Sequence, residues 1–468
     1  MRSSASPLTT TLVLPQSIAD ELLAALQNPL ETAGVLVACP ITTADGSVRL
    51  LGRQMHWVPE QDYIRRESTR LSIASTGYVP ALAQAESASA IAIWVHTHPG
   101  GLLSPMPSSA DQIVDSELRE LFSLRTGSDS YGALVVAQGE RSFTFTGHLE
   151  FGADGPVPID RVWIVGSRFQ LIQSYDSSRT EIPAIFDRNV RAFGGAVQQT
   201  LSDLHIGIVG CGGTGSIVAE QLVRLGVTRF TLVDPDTLQD SNVTRVYGST
   251  IAAIGSRKVD VIATNLERIN PSTVSTRVCS TLNSLDAAKQ METCDVVFGC
   301  TDDNAGRLVL SRIATYLLTP VIDCGVILTS DSNDQLLGID GRVTILAPGE
   351  ACLLCRNRID VRRASAELMS TEERKQRERE GYAPALGGIE PAVVTYTTMV
   401  GATAVSELLE RLIGYGPEPR PSEVLLRCHE REISTNAATP RAGHFCDSKA
   451  GKLGFGNATP FLELTWPS

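Results

Sequence analysis

The stretch from His205 to Arg245, HIGIVGCGGTGSIVAEQLVRLGVTRFTLVDPDTLQDSNVTR, constrains the fold more than any other part of the chain. Ile206, Ile208 and Val209 form a short apolar run suited to a buried parallel strand. A glycine-rich turn from Gly210 through Gly212 to Gly215 follows, and then Ile217, Val218, Gln221, Leu222 and Leu225 recur at helical spacing. A second apolar run, Phe230 to Val233, ends at Asp234. The pattern predicts strand, glycine turn, helix, strand and a terminal acid. Its physics is nucleotide binding: glycines let backbone N–H groups approach phosphate at a helix N-terminus, and the acid accepts ribose hydroxyls. By itself the motif serves a hydride-transferring dehydrogenase as well as an ATP-using enzyme.

Further residues separate the two. Asn242 and Arg245 follow Asp234, Lys258 lies shortly downstream, and Cys300-Thr-Asp302-Asp303-Asn304 ends the apolar run Val296 to Phe298, with Arg307 beyond it. With these, the segment from about Asp187 to Ile413 resembles the ubiquitin-activating superfamily, the ThiF, MoeB and HesA relatives. The resemblance implies a Rossmann-like doubly wound parallel sheet that binds ATP and Mg²⁺ and adenylates the C-terminal glycine of a ubiquitin-like or sulfur-carrier protein. Residue by residue it gives Gly210, Gly212 and Gly215 to the phosphate and adenosine cradle and Asp234 to the ribose. Asn242 belongs to the same nucleotide set, Arg245 and Lys258 face phosphates, and Asp302 takes the magnesium. Asp303 competes for that role, and the five-residue spacing from Asp302 to Arg307 favours Asp302. In Phe186-Asp-Arg188-Asn, Arg188 corresponds to an arginine that reaches ATP from the other subunit of a homodimer. A carboxylate attacking an α-phosphate brings two anions together, so cations, Mg²⁺ and positioning are what the chemistry needs. A dehydrogenase would need a hydride-acceptor site, which the sequence does not offer.

The first 150 residues carry a second constellation. Ser17 to Gln27 reads as an amphipathic helix, and Glu31-Thr-Ala-Gly34 leads into a strand at Val35–Val37. A second buried run, Ile91 to Val95, passes directly into His96-Thr-His98-Pro99, and Ser108-Ser-Ala-Asp111 precedes a helix expected over Ile113–Phe122. Histidines at i and i+2 on an extended backbone project to one side. Two imidazoles and a carboxylate are a usual catalytic zinc set with a position left for water. Singly, each piece has a plainer explanation: Ser108 and Asp111 suit a helix N-cap, and Glu31 suits a solvated strand edge. Together they resemble the JAMM (JAB/MPN) metalloproteases, an α/β sandwich domain. That resemblance implies that His96, His98 and Asp111 hold Zn²⁺, that Glu31 takes the proton from water, and that Ser108 supports the oxyanion. Eight residues separate Pro99 from Ser108, slightly more than the family's loop.

Between the two regions, Gly152 to Pro158 is turn-rich, and Val162–Val165 and Phe169–Ile172 are strands assignable to either neighbour. The expected organisation is 1–155 for the JAMM/MPN domain, 156–184 for a linker or shared strands, and 185–468 for the ThiF-like activating domain. After the nucleotide motifs, Cys352-Leu-Leu-Cys355 is half of a structural zinc site. Cys446 is the candidate to extend it, with His444, Cys428 and His429 also available and Lys449 where a partner cysteine would stand. The charge run Glu372–Glu380 reads as a solvated helix. It occupies the family's crossover loop, where a catalytic cysteine can stand, and no cysteine lies between Cys355 and Cys428. A thioester on this chain is therefore not expected. Pro391 to Leu412 reads as a closing helix ended by Gly414.

Composition sets the outer limits. The 52 acidic against 40 basic residues, for a net charge of -12, exclude nucleic acid and anionic membrane as natural partners. No window reaches the ~18–20 apolar residues of a membrane span. The N-terminus does not read as a signal peptide, and ten cysteines in 468 residues suit a reducing cytoplasm. The expectation is a cytoplasmic, homodimeric, two-domain enzyme that trims or releases a ubiquitin-like or sulfur-carrier protein with zinc and activates its terminal glycine with ATP. A conjugating enzyme is a further partner this implies. The alternatives are sulfur-carrier activation for biosynthesis rather than protein conjugation, and a non-catalytic carrier-binding scaffold.

Overall fold

A computed structural model describes residues 8–100, 105–126, 129–140, 142–151, 155–175, 181–331, 333, 335–369 and 393–466. The chain divides into two compact units, one of Met1–Arg179 with Gly454–Asn457, the other of Thr180–Leu453 with Ala458–Ser468.

In the first unit the strands are β1 (Thr10–Pro15), β2 (Ala33–Thr42), β3 (Val48–Trp57), β4 (Tyr63–Arg66), β5 (Leu71–Ile73), β6 (Ile91–His98), β7 (Ser130–Gln138), β8 (Phe143–Phe151), β9 (Val157–Pro158), β10 (Arg161–Val165) and β11 (Phe169–Gln173). Nine of them form one mixed sheet in the order β11-β10-β1-β3-β2-β6-β7-β8-β9, and β4 and β5 make a separate ribbon. Strand alternation explains why both faces are covered. Ile91, Ile93 and Val95 of β6 join Ile18, Ala19 and Leu22 of the helix Gln16–Ala25 in one core. Ala92 and Trp94, with Val35 and Val37 of β2, pack in a second core with Leu82 of the helix Val79–Ser87 and Phe122 of the helix Ser109–Thr126. The run Ile91–Val95 is therefore apolar throughout because each side chain meets a helix or a loop.

Several sequence expectations shift here. The first helix starts and ends slightly earlier than Ser17–Gln27, and the helix expected over Ile113–Phe122 extends to Ser109–Thr126. His96 and His98 lie on β6 rather than beyond it, since pairing with β7 continues to His98. Strands β10 and β11 belong to the first unit's sheet, where β10 pairs in parallel with β1.

The second unit contains β12 (His205–Val209), β13 (Arg229–Val233), β14 (Val274–Val278), β15 (Val296–Gly299), β16 (Val321–Ser330), β17 (Leu336–Leu346), β18 (Glu423–Arg427) and β19 (Glu432–Asn436), in the order β14-β13-β12-β15-β16-β17-β18-β19. The pairs from β14 to β16 are parallel, as expected of a doubly wound sheet. From β16 to β19 they turn antiparallel, so the sheet is mixed and not wholly parallel. The chain runs outward one way through β13 and β14 and the other way through β15 and β16. The crevice at the C-terminal ends of β12 and β15 is therefore the switch point where α/β sheets bind ligands. The closing helix spans Val394–Ile413, packs against the helix Gly213–Arg224, and ends at Gly414 with φ +79°, a left-handed cap. The charge run Glu372–Glu380 lies outside the described residues. No described helix is long and apolar enough to cross a membrane.

Candidate functional sites

At the switch point the glycine turn is shaped by steric demand. Gly210 has φ +92°, and a Cβ there would lie 2.6 Å from the carbonyl oxygen of Cys300. A Cβ on Gly215 would lie 1.9 Å from the carbonyl oxygen of Gly210. Only glycine lets the turn fold back on itself and touch the loop after β15. Gly212 then caps the helix Gly213–Arg224, leaving its first N–H groups to the crevice. Asp234, at the end of β13, is 5% exposed, and burial raises its carboxyl against the opposing pull of Lys258. One of its oxygens accepts from the N–H of Cys211 at 2.7 Å and the other from the N–H of Asp236 at 2.9 Å.

The remaining nucleotide candidates cluster around this acid with differing commitments. Lys258 Nζ lies 2.6 Å from Asp236 and 3.9 Å from Asp234. Asn242 is buried, and its Oδ1 accepts from the N–H of Gln239 at 3.1 Å in a capping box. Arg245 donates to the carbonyl of Ser241 at 2.8 Å. Asp303 caps the helix Asn304–Tyr316, accepting from the N–H of Gly306 at 2.5 Å, whereas Asp302 is exposed with no side-chain hydrogen bond or ion pair among the described residues. Arg307 faces inward instead, 3.6 Å from fully buried Asp323, whose other oxygen meets Arg342 at 2.5 Å. Arg188 sits on the exposed helix Asp187–Phe193, likewise with no ion pair among the described residues.

In the first unit, β6 and the start of the helix Ser109–Thr126 converge. His96 Nε2 is 3.6 Å and His98 Nε2 is 3.5 Å from the two oxygens of Asp111. Ligands about 2.0–2.2 Å from a tetrahedral zinc stand about 3.3–3.6 Å apart, so both imidazoles already stand at ligand spacing from Asp111. Neither ring nitrogen of His96, which is 5% exposed, has a hydrogen-bond partner among the described residues. A buried imidazole in that state is costly, and a metal would satisfy it. Burial pushes the Asp111 carboxyl up, but the neighbouring imidazoles of His96 and His98, together with Ser108, outweigh it and hold the group well below the usual carboxylate range. The Ser108 N–H donates to Asp111 at 2.6 Å and the Asp111 N–H to Ser108 Oγ at 3.2 Å, so the helix-cap role holds for both.

Glu31 precedes β2 and is 4% exposed. Burial, then the charge of Asp111, push its carboxyl up to about 7, against the lowering effect of His98. The ribbon of β4 and β5 fixes its backbone, a support that sequence reading did not find. The Glu31 N–H donates to the carbonyl of Glu67 at 2.9 Å, Arg66 Nε donates to the carbonyl of Glu31 at 3.0 Å, and the Ala33 N–H donates to Tyr63 Oη at 2.9 Å.

The second unit assembles Cys352, Cys355, His444 and Cys446 within 4.8 Å of one another. His444 Nδ1 is 3.6, 3.5 and 3.3 Å from the three sulfurs, and Cys355 and Cys446 are 3.6 Å apart. Two sulfurs about 2.3 Å from a tetrahedral zinc stand about 3.8 Å apart, and a sulfur and a nitrogen about 3.5 Å. The set fits zinc. Burial, ahead of the nearby arginines, depresses the His444 imidazole and favours the neutral ligand form. His444 takes the fourth corner, while His429 is used elsewhere, on the backbone of Ile339.

With this geometry in view, residues 186–447 match the ThiF family. The chain is 27% identical over 250 residues to the molybdopterin-synthase adenylyltransferase of Escherichia coli (strain K12), covering 52% of this chain and 88% of that protein. It is 30% identical over 174 residues to ubiquitin-like modifier-activating enzyme 5 of Oryza sativa subsp. japonica, covering 34% of this chain and 38% of that enzyme. Among solved structures, E. coli MccB with succinimide aligns with a TM-score of 0.43 and 17% identity, over 56% of this chain and 73% of that one.

Proposed function

The chain belongs to the ThiF family, and from that premise we propose that it is an ATP-dependent adenylyltransferase acting on the C-terminal carboxylate of a ubiquitin-like or sulfur-carrier protein. The relative from E. coli is named for adenylylating a molybdopterin synthase, and the plant relative for activating a ubiquitin-like modifier. The observation that carries the reading is the buried Asp234, held by the turn's own N–H at Cys211 beside Lys258. A fixed acceptor thus stands next to a phosphate-accommodating turn and a cation. In this reading Asp234 orients the ribose, and the N–H groups after Gly212 receive phosphate. Lys258 and Arg245 swing from Asp236 and Ser241 to offset charge on the triphosphate. Asp302, uncommitted to the helix cap, would hold Mg²⁺, which neutralises phosphate charge. Arg188 comes from the second copy of a homodimer.

We also infer a zinc-dependent peptidase in the first unit, supported by the burial of Glu31 beside His96, His98 and Asp111. Those three would hold zinc, which supplies Lewis-acid polarisation of a carbonyl and lowers the pKa of water to about 7. Glu31, with a carboxyl near neutrality, accepts the proton of the attacking water and returns it to the leaving amine. The two activities meet on one object, a carrier tail trimmed to glycine and then adenylated. The test is ATP–pyrophosphate exchange by the full chain with a precursor and with a glycine-ended carrier. Exchange with the trimmed form alone, and with the precursor only when Glu31 is intact, is the expected result. Exchange independent of any carrier would overturn it.

A further inference from the structure

Beside the His96–Asp111 pair, the first unit has a cavity of about 230 Å³, open on one side and lined by Trp94, Val135, Thr146, Asp115 and His148 among others. Its form follows from register. Across the sheet His96 stands opposite Val135 and Val135 opposite Thr146, making one row; Trp94, Ala133 and His148 make the row behind it. Two residues along a strand cover about 7 Å. Above this floor the helix Ser109–Thr126 sets Asp111 over the first row and Asp115, one turn on, over the second. The cavity is thus one side chain deep, starting at the candidate metal ligands and ending at the His148–Asp115 pair.

That end is polar yet internally satisfied. Asp115 accepts from His148 Nε2 at 3.3 Å and from the hydroxyl of Tyr131, which is 1% exposed. Glu150 is paired with Arg119 at 2.7 Å and lies 3.6 Å from His148. An incoming charge would have to break these pairs, whereas the walls of Trp94, Ala133, Val135 and Pro107 favour an apolar occupant. The volume falls below the ~300–1,000 Å³ of sites for drug-sized ligands and suits a single amino-acid side chain.

We propose that this cavity is a specificity subsite for an uncharged apolar side chain, of leucine to phenylalanine size, on the first residue after the scissile bond. This rests on the peptidase reading. A terminal glycine has no side chain to fill the cavity, so the occupant comes from the released tail. The stem of a conjugated lysine must continue to its own backbone and cannot end against the His148–Asp115 pair. The subsite therefore favours processing of a linear precursor over release of lysine conjugates.

The experiment uses blocked peptides of the form Gly-Gly-Xaa-Ser and the intact protein. Leucine or phenylalanine at Xaa should give about ten-fold or higher kcat/KM than aspartate or lysine. Thr146→Phe, which fills the cavity, should favour alanine over leucine, and Val135→Ala, which enlarges it, should favour phenylalanine over leucine. Circular dichroism and zinc content check that both variants fold. Binding is read separately: in the Glu31→Gln protein a leucine peptide should change tryptophan fluorescence, and Trp94→Phe should remove that change. Equal cleavage of all peptides, or an isopeptide-linked lysine cleaved as fast as the leucine peptide, overturns the subsite while leaving the peptidase reading intact. Selective binding without any cleavage removes the peptidase reading and leaves the cavity an apolar side-chain pocket; the absence of both selective binding and cleavage removes both.

Discussion

Asp234 accepts a hydrogen bond from the backbone N–H of Cys211 across 2.7 Å, tying the acid that ends β13 to the second residue of the glycine turn after β12. The proposed ribose acceptor is thereby tied to the glycine turn. Asp234→Ala should remove an anchor of the turn as well as the proposed ribose contact. Nucleotide affinity should therefore fall by about ten-fold or more, and the turn amides should lose protection from hydrogen exchange. Loss of affinity with unchanged exchange would mean that the tie contributes nothing to the turn.

For the proposed peptidase, Glu31→Gln should retain zinc and lower cleavage by about 10²-fold or more. His98→Ala should lose both the metal and the activity. Zinc stoichiometry and the cleavage rate of a carrier fusion give the answer together, and a Glu31→Gln protein as fast as wild type would exclude Glu31 as the base.

Activation is expected to proceed without a cysteine of this chain, since none stands between Cys355 and Cys428. Carrier-dependent pyrophosphate exchange should survive alkylation of exposed thiols such as Cys279. A reducible adduct between this chain and the carrier, mapped to one cysteine, would show the opposite.

Arg188 and Asp302 should complement each other across a two-fold interface. Arg188→Ala and Asp302→Ala should each be nearly inactive in adenylation. After subunit exchange between equal amounts of the two, about a quarter of all sites carry neither lesion if pairing is random. Absence of recovery despite proven exchange would place Arg188 within its own active site or outside the reaction.

The hydrogen bond to Asp115 is the largest influence on the His148 imidazole; with the charges of Asp115 and Glu150 it raises the group above its ordinary value, against burial. Because the folded value is the higher one, the pair's contribution to stability is fully present below about pH 6.5, the unfolded value. It is lost as the pH rises through the folded value. Asp115→Asn should lower the His148 titration midpoint seen by NMR and flatten that part of the stability profile.

Motifs built from local steric rules were legible in the sequence. Gly210, Gly212, Gly215 and Asp234 announce themselves by their spacing, and at Gly210 and Gly215 only glycine fits the turn. The His96, His98 and Asp111 set was legible because alternation along one strand fixes where both histidines point. Long-range choices were not. His444 and His429 are equivalent candidates in sequence, and only folding brings His444 to the sulfurs and leaves His429 on Ile339. The Arg307 spacing favoured Asp302 over Asp303 as the magnesium ligand; in the fold Asp303 caps the helix Asn304–Tyr316, Asp302 is exposed, and Arg307 itself pairs with buried Asp323. The Arg66 and Tyr63 support of Glu31 depends on a ribbon whose pairing has no local signature. Asp115, four residues after Asp111 on the same helix face, was the one available sign of the cavity.

The residues Gly454–Asn457 return to the first unit although the chain on either side belongs to the second. There Arg53 lies over the ring of Phe455, 4.9 Å from its centre, and Asn457 Nδ2 donates to the carbonyl of Ser89 at 3.1 Å. No single cut can therefore yield an intact N-terminal fragment. An expression boundary near residue 179 strips that fragment of its own last piece, and a C-terminal truncation meant for the second unit also removes residues of the first. Genetic dissection should rely on point substitutions in the whole chain, and a stop codon before Phe455 should behave as a lesion in both halves.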